Sequence, residues 1–529
     1  MILLLFGIAI IATLFYYYCI KPMSYWKNLG VQQTEPIWFF GDSWRNILRY
    51  QNVLELIDYL YYGSGNGRYG GCYTFTTPTL IIKDPELTKQ ILVKDFDHFV
   101  DHYLFQGSDY DPLWGKNLIA LKGEKWREMR SILSPCFTSS KMKAMFKLML
   151  DCAERFTEYF LSLSVAEQTE NQAIPLEMKE TFTRYATDVV ASTAFGVEVD
   201  SLNEPNNSFY LMGRRVTSFG FWKAMRFFMN ILLPKVCAIF RIRFLDDETM
   251  SFFIGVVEET IKVREEKGIV RPDMIHLMME ARKGKPKVEE GAADDETSIS
   301  HVDVKTPVNI TNMDIAAQAM IFFFGGFETS SNLMSFLAYE LAADSDVQSK
   351  LRTEIEDTWN ECNGKLTYEA LLKMKYLDMV ISETLRKWPV NLATDRLCTK
   401  PYTIEPAHPN EKPLHLKKGS YVSFPTYSIQ HDPKYFPDPD KFDPERFSSE
   451  NAHKIVPYTY LPFGGGPRVC IGNRFALLET KTLFFYLLKS FEIVFIEKSC
   501  VPLVISKKDF NLVMQGGNWL GFKSLKKGA

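Results

Sequence analysis

The ten residues Phe463-Gly-Gly-Gly-Pro-Arg-Val-Cys-Ile-Gly472 combine the parts needed to hold one sulfur as a metal ligand. Gly464 to Gly466 let the chain turn tightly and pass close to a flat ligand. The run Arg474-Phe-Ala-Leu-Leu-Glu-Thr-Lys481 has helical composition, so the spacing predicts that Cys470 sits at a helix N-terminus. Orphan N–H groups and the macrodipole favour a negative sulfur there. Arg468, two residues earlier, could neutralise an anionic group on the same ligand. The plainer reading of this stretch is a Gly-Pro turn followed by a buried structural cysteine.

A second constellation lies in Asp314-Ile-Ala-Ala-Gln-Ala-Met-Ile-Phe-Phe-Phe-Gly-Gly-Phe-Glu-Thr-Ser-Ser331. The segment is apolar nearly all round, so as a helix it must be buried. Gly325 and Gly326 weaken it by about 1 kcal/mol each relative to alanine. They leave a flat opening where a planar group and O₂ could approach. Thr329 then offers a hydroxyl to hold oxygen, and Glu328 an acid to feed it protons. The competing reading is a glycine-kinked core helix whose threonine bonds back to its own i−4 carbonyl.

Two further pairs share helix faces. Glu383 and Arg386 stand at i, i+3, and Trp126 and Arg130 at i, i+4. On a surface such pairs carry little energy.

The string F-x-x-G-x-R-x-C-x-G resembles the haem-binding signature of the cytochrome P-450 family, matched at Phe463, Gly466, Arg468, Cys470 and Gly472. Gly-Gly-x-Glu-Thr, from Gly325 to Thr329, resembles the oxygen-activating helix of that family, and Glu383-Thr-Leu-Arg386 its E-x-x-R motif. Lys94-Asp-Phe-Asp-His-Phe-Val-Asp-His102 makes the chain look most like insect microsomal detoxification enzymes of clan three, family nine.

The resemblance implies heme b with Cys470 as axial thiolate, a ligand that favours O–O cleavage. Phe463 and Gly325 would line the cofactor, while Trp126, Arg130, Arg396 and Arg468 would bind its propionates. Thr329 and Glu328 would be catalytic; Glu383, Arg386 and Arg446 would form a scaffolding network. Ile321, Phe324, Gly325, Asn391 and Leu392 are the implied substrate contacts. No flavin or nicotinamide motif is present, so electrons from NADPH would come through a separate reductase, with a small b-type cytochrome as a further partner. The substrate would be a small hydrophobic molecule. Two other classes fit part of the pattern: a haem-thiolate isomerase or dehydratase needing no reductase, and a non-catalytic haem sensor.

These residues must be positioned by a chain of 529 residues, 46% hydrophobic and 24% charged, an ordinary globular composition. Its 61 basic and 64 acidic residues give a net charge of −3 without a long basic block, which argues against nucleic acid as a partner. Met1 to Ile20 carries no charge and as a helix would span bilayer hydrocarbon. It lacks a positive n-region and a small-x-small cleavage site, and Lys21 and Lys27 follow. The sequence predicts an uncleaved anchor over 1–20, an irregular connector over 21–42 and one catalytic domain over 43–529. The domain would lie on the cytosolic face of the endoplasmic reticulum, beside membrane lipid.

Nine cysteines without C-x-x-C pairs form no disulfide framework, in keeping with a reducing compartment. The sequons Asn206-Asn207-Ser208 and Asn309-Ile310-Thr311 would then stay unmodified. Gly65 to Gly70 matches G-x-G-x-x-G, but Cys72 to Ile82 reads as a strand hairpin, so nucleotide binding is not expected. The polar stretch from Lys283 to Pro307 reads as a surface loop. From Asp84 onward helical periodicity dominates, with short strand-like runs at Tyr402–Ile404, Pro413–Leu416 and Phe491–Phe495. The expected fold is mainly α with small β-sheets. Lys122, Lys125 and Arg127 mark a surface for an acidic reductase, and Phe227 to Pro234 a second membrane contact.

Overall fold

The computed structural model describes residues 2–105, 110–166, 173–217, 221–271, 273–283, 310–409, 411–509 and 511–525. The polar stretch expected to form a loop lies outside the described residues from 284 onward, as does Asn309 of the second sequon.

The fold is mainly helical with small sheets, as the sequence predicts. One helical run, Ile2–Asn28, is long and apolar enough to cross a membrane, with a mean hydropathy of 2.2. Its last turns are not a loose connector. Trp26 is buried, its indole N–H donates to the Cys72 carbonyl at 3.2 Å, and Met23 and Val31 pack beside it on Tyr73 and Leu80. Gly71 makes room for that indole, since a β-carbon there would come within 2.3 Å of it. The glycine-rich stretch thus serves packing.

The hairpin follows as Tyr69–Thr74 and Thr77–Ile82, antiparallel. The second strand pairs in parallel with Tyr421–Phe424, which pairs antiparallel with Thr394–Leu397. This four-stranded sheet carries Asp395 and Arg396 on its edge strand. The strand-like runs near Tyr402 and Leu414 pair with each other, and Phe491–Val494 pairs with Trp519–Ser524.

The main core forms where the helices Ser139–Ala166, Met178–Val190, Ser331–Ala343 and Asn473–Ser490 bring Phe156, Phe182, Leu337 and Phe484 together. Each of these side chains is at most 2% exposed, and burying one contributes roughly 1.5–3 kcal/mol. Thr311 starts the central rod: its hydroxyl accepts from the Asp314 N–H while the Asp314 carboxylate accepts from the Thr311 N–H. The rod then runs as Asn312–Gly325, a π turn over Gly326–Ser330, and Ser331–Ala343. It stays continuous through the glycine pair because the π turn absorbs the disturbance; such turns recur at functional sites.

Candidate active site

Cys470 lies just before the helix Asn473–Ser490, whose N-cap is Gly472. Its N–H donates to the Phe463 carbonyl at 2.9 Å, which closes the loop. Gly466 has φ +68°, and a β-carbon there would meet the Leu92 carbonyl oxygen at 1.9 Å, so only glycine fits. Cys470 is exposed, yet atoms of the fold surround it, so it faces an internal surface. Burial pushes its thiol up from the ordinary range, while the Gly472 N–H and the Arg130 guanidinium pull it back. The helix terminus alone therefore does not make a thiolate here; a metal cation at the sulfur would.

Trp126 and Arg130 share the helix Gly123–Leu133, with the indole buried. Arg396 donates through Nη1 to the Asp395 carbonyl at 2.7 Å and through Nη2 to the Gly465 carbonyl at 3.1 Å. Its Nε is buried and has no hydrogen-bond partner among the described residues. Arg468 is more committed than the sequence suggests. Its guanidinium donates to the carbonyls of Val100, Leu118 and Leu121 at 2.8, 3.3 and 2.8 Å, and lies 4.0 Å from the Trp126 ring centroid. Burial pulls Arg130 and Arg396 down to about 10 and Arg468 to about 8, the neighbouring Arg396 adding to the last. Around the buried Arg396 and Arg468 and the half-buried Arg130 stand two carboxylates, Asp101 at 3.7 Å from Arg468, and Asp395. Such a surplus of positive charge favours an anionic guest.

On the rod the two glycines divide their work. A β-carbon on Gly326 would meet Val190 Cγ2 at 2.5 Å, so Gly326 serves packing, and only Gly325 has nothing within 4 Å. The opening expected from both glycines thus comes from one. Thr329 is exposed although it sits mid-helix between the buried Phe327 and Ser330. Its hydroxyl donates to the Gly325 carbonyl, the back-bond of the competing sequence reading, which leaves its lone pairs free to accept. Glu328 turns aside: Oε2 is 3.3 Å from Lys179 Nζ, and Oε1 accepts from Asn332 Nδ2 at 3.3 Å. Lys179 also donates to the Glu328 carbonyl at 3.1 Å and to Ser331 Oγ at 2.6 Å.

The buried Arg386 grips Glu383 with two parallel bonds of 2.7 and 2.9 Å and donates to the carbonyls of Gln430 and Pro439. Arg446 Nε lies 3.4 Å from Glu383, which also accepts the Asp443 N–H at 2.9 Å. The expected three-residue network is therefore assembled in the structure.

Among the expected substrate contacts, Ile321 is buried but stands outside the aromatic cluster that takes Met320 and Phe323. It shares a helix face with Gly325, four residues on. Phe324 lies edge-on to Trp114 at 6.4 Å. Asn391 is exposed and bonds Thr394, while Leu392 packs with the small cluster around Leu54 and Phe336. Leu392 thus has a packing role of its own.

The cytochrome P-450 family profile matches residues 35–519. Cytochrome P-450 9e2 of Blattella germanica is 42% identical over 506 residues, 94% of this chain and 93% of that protein. The chain belongs to the cytochrome P-450 family. Probable cytochrome P-450 9f2 of Drosophila melanogaster is 40% identical over 520 residues, 97% of each chain, and probable cytochrome P-450 6a13 of the same organism is 38% identical over 513. The likeness to family nine agrees with the resemblance carried by Lys94–His102, and the protein is a haem-thiolate monooxygenase.

The residues present fit the haem that this cytochrome P-450 family uses. The orphaned Nε of Arg396, the cluster of Arg130, Arg396 and Arg468, the bare face at Gly325 and the sulfur of Cys470 on its glycine loop together suit a flat, dianionic metal macrocycle. Sequence reasoning missed Lys179, Asp101, His102 and Asp395 as neighbours of the site. Asp101 and His102 stand inside the motif Lys94–His102, and Asp395 is next to Arg396 in sequence; for Lys179 the sequence holds no signal.

Two surface expectations shift. Lys125 is exposed as expected, whereas Arg127 is paired with Asp97 and Glu124. Phe227 and Phe228 are half-buried against Phe244 and Phe75, and Ile231 is buried. Within the expected run Leu233 is exposed, and the most exposed apolar side chains, Trp222, Ile239 and Phe240, flank it. The reason is helical phase: the run Phe221–Leu232 turns one apolar face to the fold, and Pro234 starts a new helix, Pro234–Phe240, with a different outward face.

Proposed function

We propose that this chain is a membrane-anchored monooxygenase of hydrophobic compounds, of the detoxifying kind, fed with NADPH electrons by a separate reductase. The observation that carries the residue assignments is that Cys470 on its glycine loop and Thr329, one turn past the open face of Gly325, are both left exposed. Haem, when bound, supplies the redox iron that activates O₂, one atom entering the substrate and the other leaving as water.

The chain's own residues do the rest. Cys470 presents its sulfur with the Gly472 N–H and Arg130 beside it, both favouring negative charge. Trp126, Arg130, Arg396 and Arg468 hold the anionic edge of the cofactor, and Phe463 closes the ligand loop through its carbonyl. Thr329 Oγ1, whose proton rests on the Gly325 carbonyl, offers its free lone pairs to a donor and passes a proton on when that back-bond opens, and Glu328, steadied by Lys179 and Asn332, replenishes it. Glu383, Arg386 and Arg446 fix the loop segment beneath the cofactor. Ile321, Phe324, Gly325, Asn391 and Leu392 shape the apolar substrate space, which discriminates by shape rather than by charge.

Residues 1–20 serve as the anchor, 21–42 dock it to the fold, and 43–529 form the catalytic domain on the cytosolic face of the endoplasmic reticulum. Lys125 offers outward positive charge to an acidic reductase or a small b-type cytochrome. Retention of the acid-alcohol pair Glu328-Thr329 favours oxygenation over a haem-thiolate isomerase or a sensor. Steady-state NADPH consumption with added reductase tests the reading: consumption that rises with a hydrophobic substrate is expected. Substrate turnover without NADPH, or no consumption at all, would overturn it.

A further inference from the structure

Two substrate contacts of the proposed function, Asn391 and Leu392, lie on a short loop that leaves the helix Lys375–Lys387. Pro389 ends that helix, because the residue before a proline is pushed out of the α region, and Trp388 adopts φ −128°, ψ 64°. Downstream the loop is fixed where the Leu392 carbonyl accepts the Tyr427 N–H at 3.0 Å. Its far end also reaches the ligand loop: a β-carbon on Gly464 would lie 3.5 Å from Thr394 Oγ1.

Upstream the loop is fixed by side chains. The Trp388 indole N–H donates to Glu340 Oε1 at 2.7 Å, and Lys387 Nζ donates to Glu340 Oε2 at 3.2 Å. Glu340 belongs to the rod, in Ser331–Ala343, and is only 3% exposed. One turn earlier on the same face, Phe336 stacks on the Trp388 ring, with centroids 4.8 Å apart and planes at 17°. Leu392 joins Phe336 in the small cluster completed by Leu54, Ile505 and Leu512. Trp388 therefore meets the rod twice, by its ring face and by its N–H.

Packing alone does not account for this junction. A buried ion pair seldom stabilises a fold more than apolar side chains of the same volume, and its best-attested use is to fix register. Here both partners of the buried carboxylate are the two residues that immediately precede the loop.

We propose that Trp388 is a positioning residue for the substrate: held by Glu340, it sets the distance between the rod and the loop Pro389–Leu392, and so the width of the apolar space between them. This inference rests on the monooxygenase reading above, and the test separates the two. Full-length, haem-loaded wild type, W388F, E340Q, E340L and the double variant W388F/E340L are titrated with imidazole and with 4-phenylimidazole. Both azoles report binding at iron by a Soret shift, but only the second adds a ring that must fit beside the loop.

W388F keeps the stack and loses the N–H. It should bind 4-phenylimidazole about fivefold more weakly than wild type, the share of one hydrogen bond, with imidazole affinity within about twofold. E340L should behave alike, and the double variant should be no weaker than either single one, since all three remove one interaction. E340Q, whose amide oxygen can still accept from the indole, should keep the wild-type ratio of the two affinities.

A W388F affinity for 4-phenylimidazole no more than about twofold weaker than wild type refutes the proposal. So does an equal loss of imidazole binding, an E340Q as weak as E340L, or a double variant whose losses add. Should E340L fail to accumulate, W388F and E340Q decide between them. The reduced carbonyl spectrum is recorded first; a wild type without the thiolate band defeats the haem-thiolate reading itself, whereas an intact band with unchanged azole ratios defeats only the role of Trp388.

Discussion

Replacing Glu479 with glutamine should remove a pH dependence of stability that the wild-type fold carries. Glu479 sits on the helix that follows Cys470, is fully buried, and has no hydrogen-bond partner at either carboxyl oxygen among the described residues. Its titratable neighbours are Tyr185 and Cys152, and Ser330 of the π turn lies close enough to temper its acidity without an aligned bond. Burial pushes the carboxyl from 4.5 up to about 8. The native protein thus keeps it neutral at pH 7 while the unfolded chain ionises it, which costs about 3 kcal/mol. The sign follows from the raised value: stability is full below pH 4.5 and falls as pH rises toward 8.

Glutamine mimics the neutral acid and does not titrate. Its stability relative to wild type should therefore grow by about 1.4 kcal/mol per pH unit, or about 2.5 kcal/mol between pH 5.5 and 7.5. Urea unfolding of both proteins across that range, followed by far-ultraviolet circular dichroism, measures the gap. Any fixed cost of the amide shifts the whole curve and cancels in the slope. Parallel pH profiles would refute the reasoning and mean that Glu479 titrates alike in both states.

Thr329→Ala should keep the haem spectrum and much of the NADPH consumption, while product per NADPH falls and hydrogen peroxide rises; coupling equal to wild type would assign proton delivery to water or substrate. Arg386→Met breaks a fully buried pair and should destabilise the fold by about 3–5 kcal/mol, read as a lower urea midpoint and poor haem retention. Protein truncated before Lys21 should still bind anionic vesicles through its exposed apolar side chains, and Ile239→Glu with Phe240→Glu should weaken that binding several-fold, checked by flotation.

The features legible in the sequence are those that fixed spacing encodes. The loop Phe463–Gly472, Glu383 with Arg386, and Trp126 with Arg130 all lie within one loop or one helix, so their juxtaposition follows from local geometry. The hairpin, read from the sequence over Cys72 to Ile82, is legible for the same reason, although its first strand begins earlier, at Tyr69. What stayed hidden depends on distant chain segments: Lys179 meets Glu328 across 149 positions, and His102 meets Asp395 across 293. Periodicity could mark the rod as buried but not tell Gly325 from Gly326, because only the neighbouring Val190 distinguishes them. The π turn adds a residue to the rod and moves Thr329 and Ser330 off the faces an α-helix would give them. Likewise the apolar run from Phe227 showed that a face exists, not which side chains the fold covers.

The central claim is that Cys470 is the thiolate beneath the haem, and the reduced carbonyl difference spectrum tests it most directly. Wild type should absorb at the long wavelength that gave the family its name, and Cys470→His should abolish that band while haem still binds. A wild-type band at the position of a histidine-ligated haem, or a long-wavelength band that survives in the variant, would contradict the account.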